Sequence, residues 1–256
     1  MKNMPQVISI VNQKGGVGKT TTAVNLGAFL AQLGKFVLLV DIDPQANATS
    51  GLNVDHRGLE KSIYDVLIGN AKFNEVIKHT VHDGYRLAPA HAALAGANIE
   101  LVSAEEREWR LKNAIEEVKH AYDYILIDCP PSLGLLTVNG LVAADQILIP
   151  VQAEYYALEG LRQLVETINL VKEHLKPSLE IMGAVLTMFD NRNRLSSEVM
   201  NEMYRYFPNK IFRSVIPRSV RLAEAPSFGK TILEYDPYSK GAKAYERLAR
   251  ELVEGV

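Results

Sequence analysis

The chain has 256 residues, 47% apolar and 23% charged, with a formal net charge of -2. That length supports a large α/β unit with a buried core, and the near-neutral charge excludes a chain that declares a nucleic-acid or membrane partner by net charge alone. The single cysteine, Cys129, excludes an intramolecular disulfide and suits a reducing cytoplasm, no apolar run approaches the ~20 residues of a membrane-spanning helix, and Met1 to Gln6 lacks the apolar stretch of a secretory signal.

In chain order, Val7 to Asn12 reads as a strand that runs into a glycine-rich turn. Gly18 through Leu33 reads as a helix with Val24, Leu26, Leu30 and Leu33 at its apolar positions and Gly34 as its stop. Phe36 to Val40, Tyr124 to Ile127, Gln146 to Val151 and Ile181 to Met188 are continuous apolar runs, as expected of strands buried on both faces of a parallel sheet. Ile211 to Ile216 is a shorter strand candidate. Glu105 to His120, Leu158 to His174, Ser196 to Phe207 and Gly241 to Glu254 read as helices. The stretch from Thr49 to Ala104 is the least regular, with small helices and a short strand around Tyr85 to Pro89. Strands alternating with helices predict an α/β fold, a mostly parallel twisted sheet with helices on both faces. Without repeats or a linker, the chain reads as one domain over residues 1–256.

The sharpest motif is Lys14-Gly15-Gly16-Val17-Gly18-Lys19-Thr20-Thr21, directly after the first strand. Its glycines let the backbone curl so that successive N–H groups face phosphate oxygens. The helix N-terminus behind them adds the positive end of its dipole. Lys19 is placed to reach the β- and γ-phosphates of a nucleoside triphosphate, and the Thr20 hydroxyl to sit on Mg²⁺. The usual pattern has a glycine at position 13; this chain has Gln13, and a second lysine, Lys14. A second cation beside a triphosphate is sensible, since charge spreads over the phosphate oxygens during transfer.

Asp41 and Asp43 follow the second apolar strand, at the carboxyl end where open α/β sheets bind ligands. One could organise the Mg²⁺ shell and the other position the attacking water. Asp128 closes the strand beginning at Tyr124, where a carboxylate can hold Mg²⁺ through water. Cys129 has no nearby base in the sequence and reads as a packed side chain.

Lys14 at the head of the loop gives the deviant Walker A form, and at that point the chain resembles the ParA/MinD group of P-loop ATPases. The likeness covers nearly the whole length and is strongest to the chromosomal ParA/Soj branch. It rests on NQKGGVGKTTT at 12–22, LLVDIDPQ at 38–45, DCPPSLGLLT at 128–137, EYYALEGL at 154–161 and IPRSVRLAEAPS at 216–227. The resemblance implies a P-loop NTPase fold, ATP and Mg²⁺ as ligands, and a homodimer formed with ATP in which Lys14 reaches the partner's nucleotide. It implies that Asp43 positions the water, that Asp41 lies nearer the metal shell, and that Asp128 is the Walker B aspartate. The 128–134 segment resembles the family's switch, which responds to the γ-phosphate. Met188, Pro217 and Ser219 match the family's adenine pocket.

Residues 192–221 hold seven basic side chains, Arg192, Arg194, Arg205, Lys210, Arg213, Arg218 and Arg221, against only Glu198 and Glu202. Such a stripe attracts a phosphate backbone regardless of sequence. The resemblance marks Arg192 and Arg221 as contacts to non-specific double-stranded DNA, and Arg218 lies between them in the same stripe, with the surface falling within about 192–250. It also implies a ParB-type partner that stimulates hydrolysis, a cytoplasmic, nucleoid-associated location, and a role in chromosome or plasmid segregation with a link to replication control. The first strand begins by Val7, so no N-terminal helix-turn-helix is expected. The alternatives are a MinD-like membrane-associated positioning ATPase and a nucleotide-dependent regulatory binder with little turnover. The last helix mixes Lys243, Arg247 and Arg250 with Glu246, Glu251 and Glu254, whereas a membrane-docking helix favours basic residues on its polar face. A cluster-bridged iron protein needs two cysteines per subunit, and this chain has one.

Overall fold

The computed structural model describes residues 5–154, 157–190, 192 and 194–255, the side chains of 157–159 and 194–197 excepted. Tyr155 and Tyr156 of the EYYALEGL stretch and the side chain of Arg194 therefore lie outside the described residues. Seven strands form one sheet: β1 (Gln6–Ile10), β2 (Val37–Asp41), β3 (Lys78–His79), β4 (Tyr85–Ala88), β5 (Tyr124–Asp128), β6 (Gln146–Gln152) and β7 (Glu180–Thr187). Their order across the sheet is β3-β4-β2-β5-β1-β6-β7. All pairings are parallel except the short edge pair β3–β4.

Apolar side chains leave this sheet on both faces. In β1, Val7 joins one core and Ile8 and Ile10 the other; in β2, Leu38 and Val40 oppose Val37 and Leu39. The first core takes in residues of the helices Leu135–Ala143 and Ala157–His174, the second those of the helix α1 (Lys19–Gln32) and of the helix Lys240–Glu254. The last helix spends its apolar face on this second core: Tyr245, Leu248, Ala249 and Leu252 are buried, and the Tyr245 hydroxyl shares a hydrogen bond with Thr22 of α1 at 3.2 Å. Close approach decides one glycine of α1. A Cβ on Gly27 would lie 2.3 Å from the Tyr85 hydroxyl, which donates to the Val24 carbonyl at 3.2 Å.

The register aligns the carboxyl ends of the central strands. Asp128 is the partner of Ile10 on one side and of Asp41 on the other. The loop leaving β1 therefore passes beside two aspartates before it enters α1.

Two predicted elements differ. Residues 211–216 do not form a strand. They run along β7 with isolated bridges at Ile211 and Pro217, because the backbone N–H groups of Arg213 and Ser214 donate to the Glu251 carboxylate of the last helix instead of to a ladder. The helix expected over 105–120 is confined to Arg110–Glu116 plus a single turn at Lys119–Ala121. Glu106 breaks it with a φ of 50°, and Asn139 takes over its start, accepting from Leu111 N and donating to Arg107 O. Asn139 belongs to the helix Leu135–Ala143, which the apolar run leading into β6 concealed.

Candidate nucleotide site

Residues 11–18 form a loop tied down at each end and open in its middle. Asn12 donates to Pro150 O at 2.8 Å and accepts from Lys14 N at 3.0 Å. At the other end, Thr187 of β7 donates to Val17 O at 2.7 Å. Gly16 and Gly18 have φ of +75° and +87°, a backbone region that favours glycine. Cβ atoms added to Gly15 or Gly16 would meet nothing within 4 Å, so the cradle has room for a ligand on that side. No side chain caps the start of α1, which leaves its first N–H groups for an anion.

Lys19 is only 5% exposed. Its ammonium donates to Lys14 O at 3.0 Å. Burial lowers its pKa, opposed first by Asp128 and then by Cys129 and Asp43. Asp128 is fully buried, and neither of its carboxylate oxygens has a hydrogen-bond partner among the described residues. Burial first, and the neighbouring Asp41 next, raise its pKa well above the usual carboxylate range; the Thr20 side chain and the Lys19 charge act the other way. A buried carboxylate that has the Thr20 side chain beside it but makes no hydrogen bond, next to a phosphate cradle, fits water or a cation there. Asp41 is also buried, but its oxygens are occupied: Oδ1 accepts from Asp43 N at 3.1 Å, and Oδ2 from the backbone and hydroxyl of Thr49 at 2.9 and 2.7 Å. Burial pushes its pKa up to about 6 despite those bonds. Asp43 Oδ1 accepts from Gln45 N at 2.9 Å. Among the described residues no three His, Cys, Asp or Glu side chains group as a metal cage, and Mg²⁺, which keeps waters and phosphate oxygens in its shell, needs none.

A cavity of about 550 Å³ opens over this loop. Gly15, Gly16, Gly18, Lys19, Thr20 and Thr21 line it, together with Asp43 and Met188. Met188 has a φ of 52°. Val17 contributes its carbonyl to the Thr187 bond while its side chain is buried, and Lys14 stands outside the lining, 4.0 Å from Glu154. Pro217 and Ser219 are not among the lining residues either. Pro217 lines a neighbouring groove, and Ser219 caps the short helix Val220–Glu224, accepting from Leu222 N. Sequence reading missed Pro226, Ser227 and Lys230, which do line the cavity. They sit in and just past the quoted IPRSVRLAEAPS stretch, but only the fold brings them over α1: Ile232 N donates to Asn25 of that helix at 2.7 Å. Cys129 is buried 3.6 Å from the Ser9 hydroxyl, and burial pushes its thiol up to about 12, which leaves it inert.

The basic stripe divides. Arg192 and Arg218 line a second groove of about 820 Å³ with Lys240, Lys243 and Arg247 of the last helix. Arg192 is exposed and bidentate on Asp190, and Arg218 pairs with Glu154 at 3.2 Å. Arg221 lies outside this groove, paired with Glu224 and Asp236. Arg205 pairs with Glu202, and Lys210 donates to Ile181 O.

The AAA domain family matches residues 5–181. The chain is 57% identical over 249 residues to the sporulation initiation inhibitor protein Soj of Bacillus subtilis (strain 168), covering 97% of this chain and 98% of that protein. It is 51% identical over 251 residues to the chromosome-partitioning ATPase Soj of Treponema pallidum (strain Nichols), covering 98% of each. Among solved structures, a cobyrinic acid a,c-diamide synthase from Mycobacterium smegmatis with bound ADP and magnesium superposes with a TM-score of 0.87 at 37% identity, covering 98% of this chain and 95% of that one. The synthase shares the P-loop NTPase fold at a lower identity than the partitioning proteins. With a second lysine at the head of its phosphate loop and identity above one half over nearly the full length of both Soj proteins, this chain belongs to the ParA/Soj family of chromosome-partitioning ATPases.

Proposed function

We propose that this chain is a nucleotide-driven DNA switch: it binds ATP with Mg²⁺ at the 14–21 loop, pairs with a second copy, holds DNA without sequence preference, and lets go on hydrolysis. The observation that carries the reading is Asp128, whose two oxygens make no hydrogen bond, buried behind the lining of the open phosphate cradle and favouring the charge of Lys19. Lys19 and the loop N–H groups would hold the phosphates. Thr20 and Asp128 would hold Mg²⁺, with Asp41 setting the turn behind them through Thr49. When bound, Mg²⁺ neutralises phosphate charge. Asp43 orients the attacking water, and Lys14 serves the nucleotide of the second copy. Met188, at the cavity wall, supports a base contact, with Pro217 brought near by the bridge between Phe189 and Pro217 and Ser219 two residues further on.

DNA is assigned to the groove lined by Arg192, Arg218, Lys240, Lys243 and Arg247, with Arg221 at its margin. Each phosphate contact steepens the salt dependence by about 0.9, and a dimer doubles the number of contacts. The last helix buries its apolar face on α1, which favours DNA over a lipid surface as the anchor. A ParB-type partner that accelerates hydrolysis, a nucleoid-associated cytoplasmic location and a single ATPase domain over 1–256 complete the reading; one sheet with a core on each face supports the last of these.

The deciding experiment measures binding of a random-sequence duplex with ATP, with ADP and with no nucleotide, each across a salt series. Binding that requires ATP and falls steeply with salt is expected. Equal binding in all three states would refute the switch.

A further inference from the structure

Glu154, just past the end of β6, lies between two cations that serve different ligands in the reading above. Its Oε2 is 4.0 Å from Lys14 Nζ, and its Oε1 accepts from Arg218 Nη2 at 3.2 Å. Gln152 Nε2 also donates to Oε1, at 2.6 Å, which fixes the carboxylate from the strand end. Lys14 opens the phosphate loop, and Arg218 lines the basic groove. The three side chains are 33%, 44% and 62% exposed for Lys14, Glu154 and Arg218. Ion pairs in that setting are weak. Two cations gathered on one carboxylate also repel each other, so each is ready to leave for a phosphate, which offers more charge and more acceptor oxygens.

We infer that Glu154 is an autoinhibitory clamp: in the nucleotide-free subunit it withholds Lys14 from a triphosphate and Arg218 from DNA phosphates, so that each anion must displace a contact to the same carboxylate. The inference rests on the DNA reading of the basic groove and adds its regulation. One side chain then lowers basal activity at two sites, and neither site needs to touch the other. Removing the carboxylate charge frees both cations at once.

Glu154→Gln keeps the shape of the side chain and an oxygen for Gln152 while deleting the charge. Binding of a fluorescent random-sequence duplex to the nucleotide-free full chain is compared across a salt series for wild type, E154Q, R218A and the double variant. E154Q is expected to bind about twofold to fivefold more tightly, the scale of one exposed ion pair, and the gain is expected to vanish in the R218A background. A gain of equal size in the double variant would report only the general field of a lost negative charge and would overturn the clamp. No gain, with a lowered unfolding midpoint for E154Q, would make Glu154 a structural residue and overturn it as well. In sedimentation, E154Q is expected to dimerise at a lower ATP concentration than wild type; an unchanged midpoint removes Lys14 from the clamp. A wild-type chain that ignores DNA even with ATP and Mg²⁺ is a separate failure: it overturns the DNA reading, and the Arg218 half of the clamp with it.

Discussion

The Lys19 ammonium donates to the main-chain carbonyl of Lys14 across the loop, at 3.0 Å. The buried cation is thus held by the first residue of the turn it serves, with Asp128 the foremost carboxylate favouring its charge. The bond is to a carbonyl, which a phosphate can replace with a charge-assisted contact.

Lys19→Ala should therefore abolish ATP binding, a loss of at least about 100-fold, because it removes a buried cation from a triphosphate site. Isothermal titration with ATP and Mg²⁺ checks this. Near-normal affinity would take the phosphates away from this loop.

Asp43 lines the same cavity, with one oxygen committed to Gln45 N. Asp43→Ala should leave ATP binding and the ATP-bound dimer intact and lower turnover by about 100-fold or more, the scale of a lost water-orienting group. Steady-state phosphate release and sedimentation with ATP, run side by side, test both halves. Retained turnover would move the role elsewhere.

The paired aspartates make the ligand-free protein sensitive to pH. Burial raises the pKa of Asp41 from 3.8 to about 6 and that of Asp128 above the usual range. Between those values the folded state holds protons that the unfolded chain has released, so stability falls as pH rises, through about 4 to 6 for Asp41 and further for Asp128. Asp43 and Lys19 are the other charged groups acting on Asp128. Asp128→Asn deletes one of the two carboxyls, so its urea-denaturation profile should be flatter than wild type. As pH rises the wild type should lose stability relative to the variant, because only the wild type has an Asp128 proton to give up on unfolding. Parallel profiles would mean that Asp128 is hydrated and ionised in the empty site.

Much of this was legible in the sequence because the signals were local. Continuous apolar runs gave five of the strands, and the glycine spacing of the loop states its backbone needs directly. What escaped depends on contacts between distant segments. The N–H groups of Arg213 and Ser214 look available for a ladder until Glu251, nearly forty residues later, claims them. Lys230 enters the cavity only because Asn25 captures the Ile232 N–H. A run of charges likewise does not say which members will share a groove: Arg192 and Arg218 meet the last helix, and Arg221 turns to Glu224 and Asp236.

Thr187 offers a test of how the phosphate loop keeps its shape. It ends β7 and is 2% exposed, and its hydroxyl donates to Val17 O at 2.7 Å. Its methyl carbon would lie 3.7 Å from a Cβ on Gly18, ordinary contact distance. The strand thus braces the turn just before the backbone enters α1. Thr187→Val conserves volume but leaves the Val17 carbonyl without its donor, a cost of about 1–3 kcal/mol. Part of that cost should appear as a looser loop, so KM for ATP should rise about fivefold while kcat changes less, the loss lying in binding the nucleotide rather than in turnover. Thr187→Ser, which keeps the hydroxyl and loses the methyl, should restore KM. If serine raises KM and valine does not, packing against Gly18 rather than the hydrogen bond holds the loop.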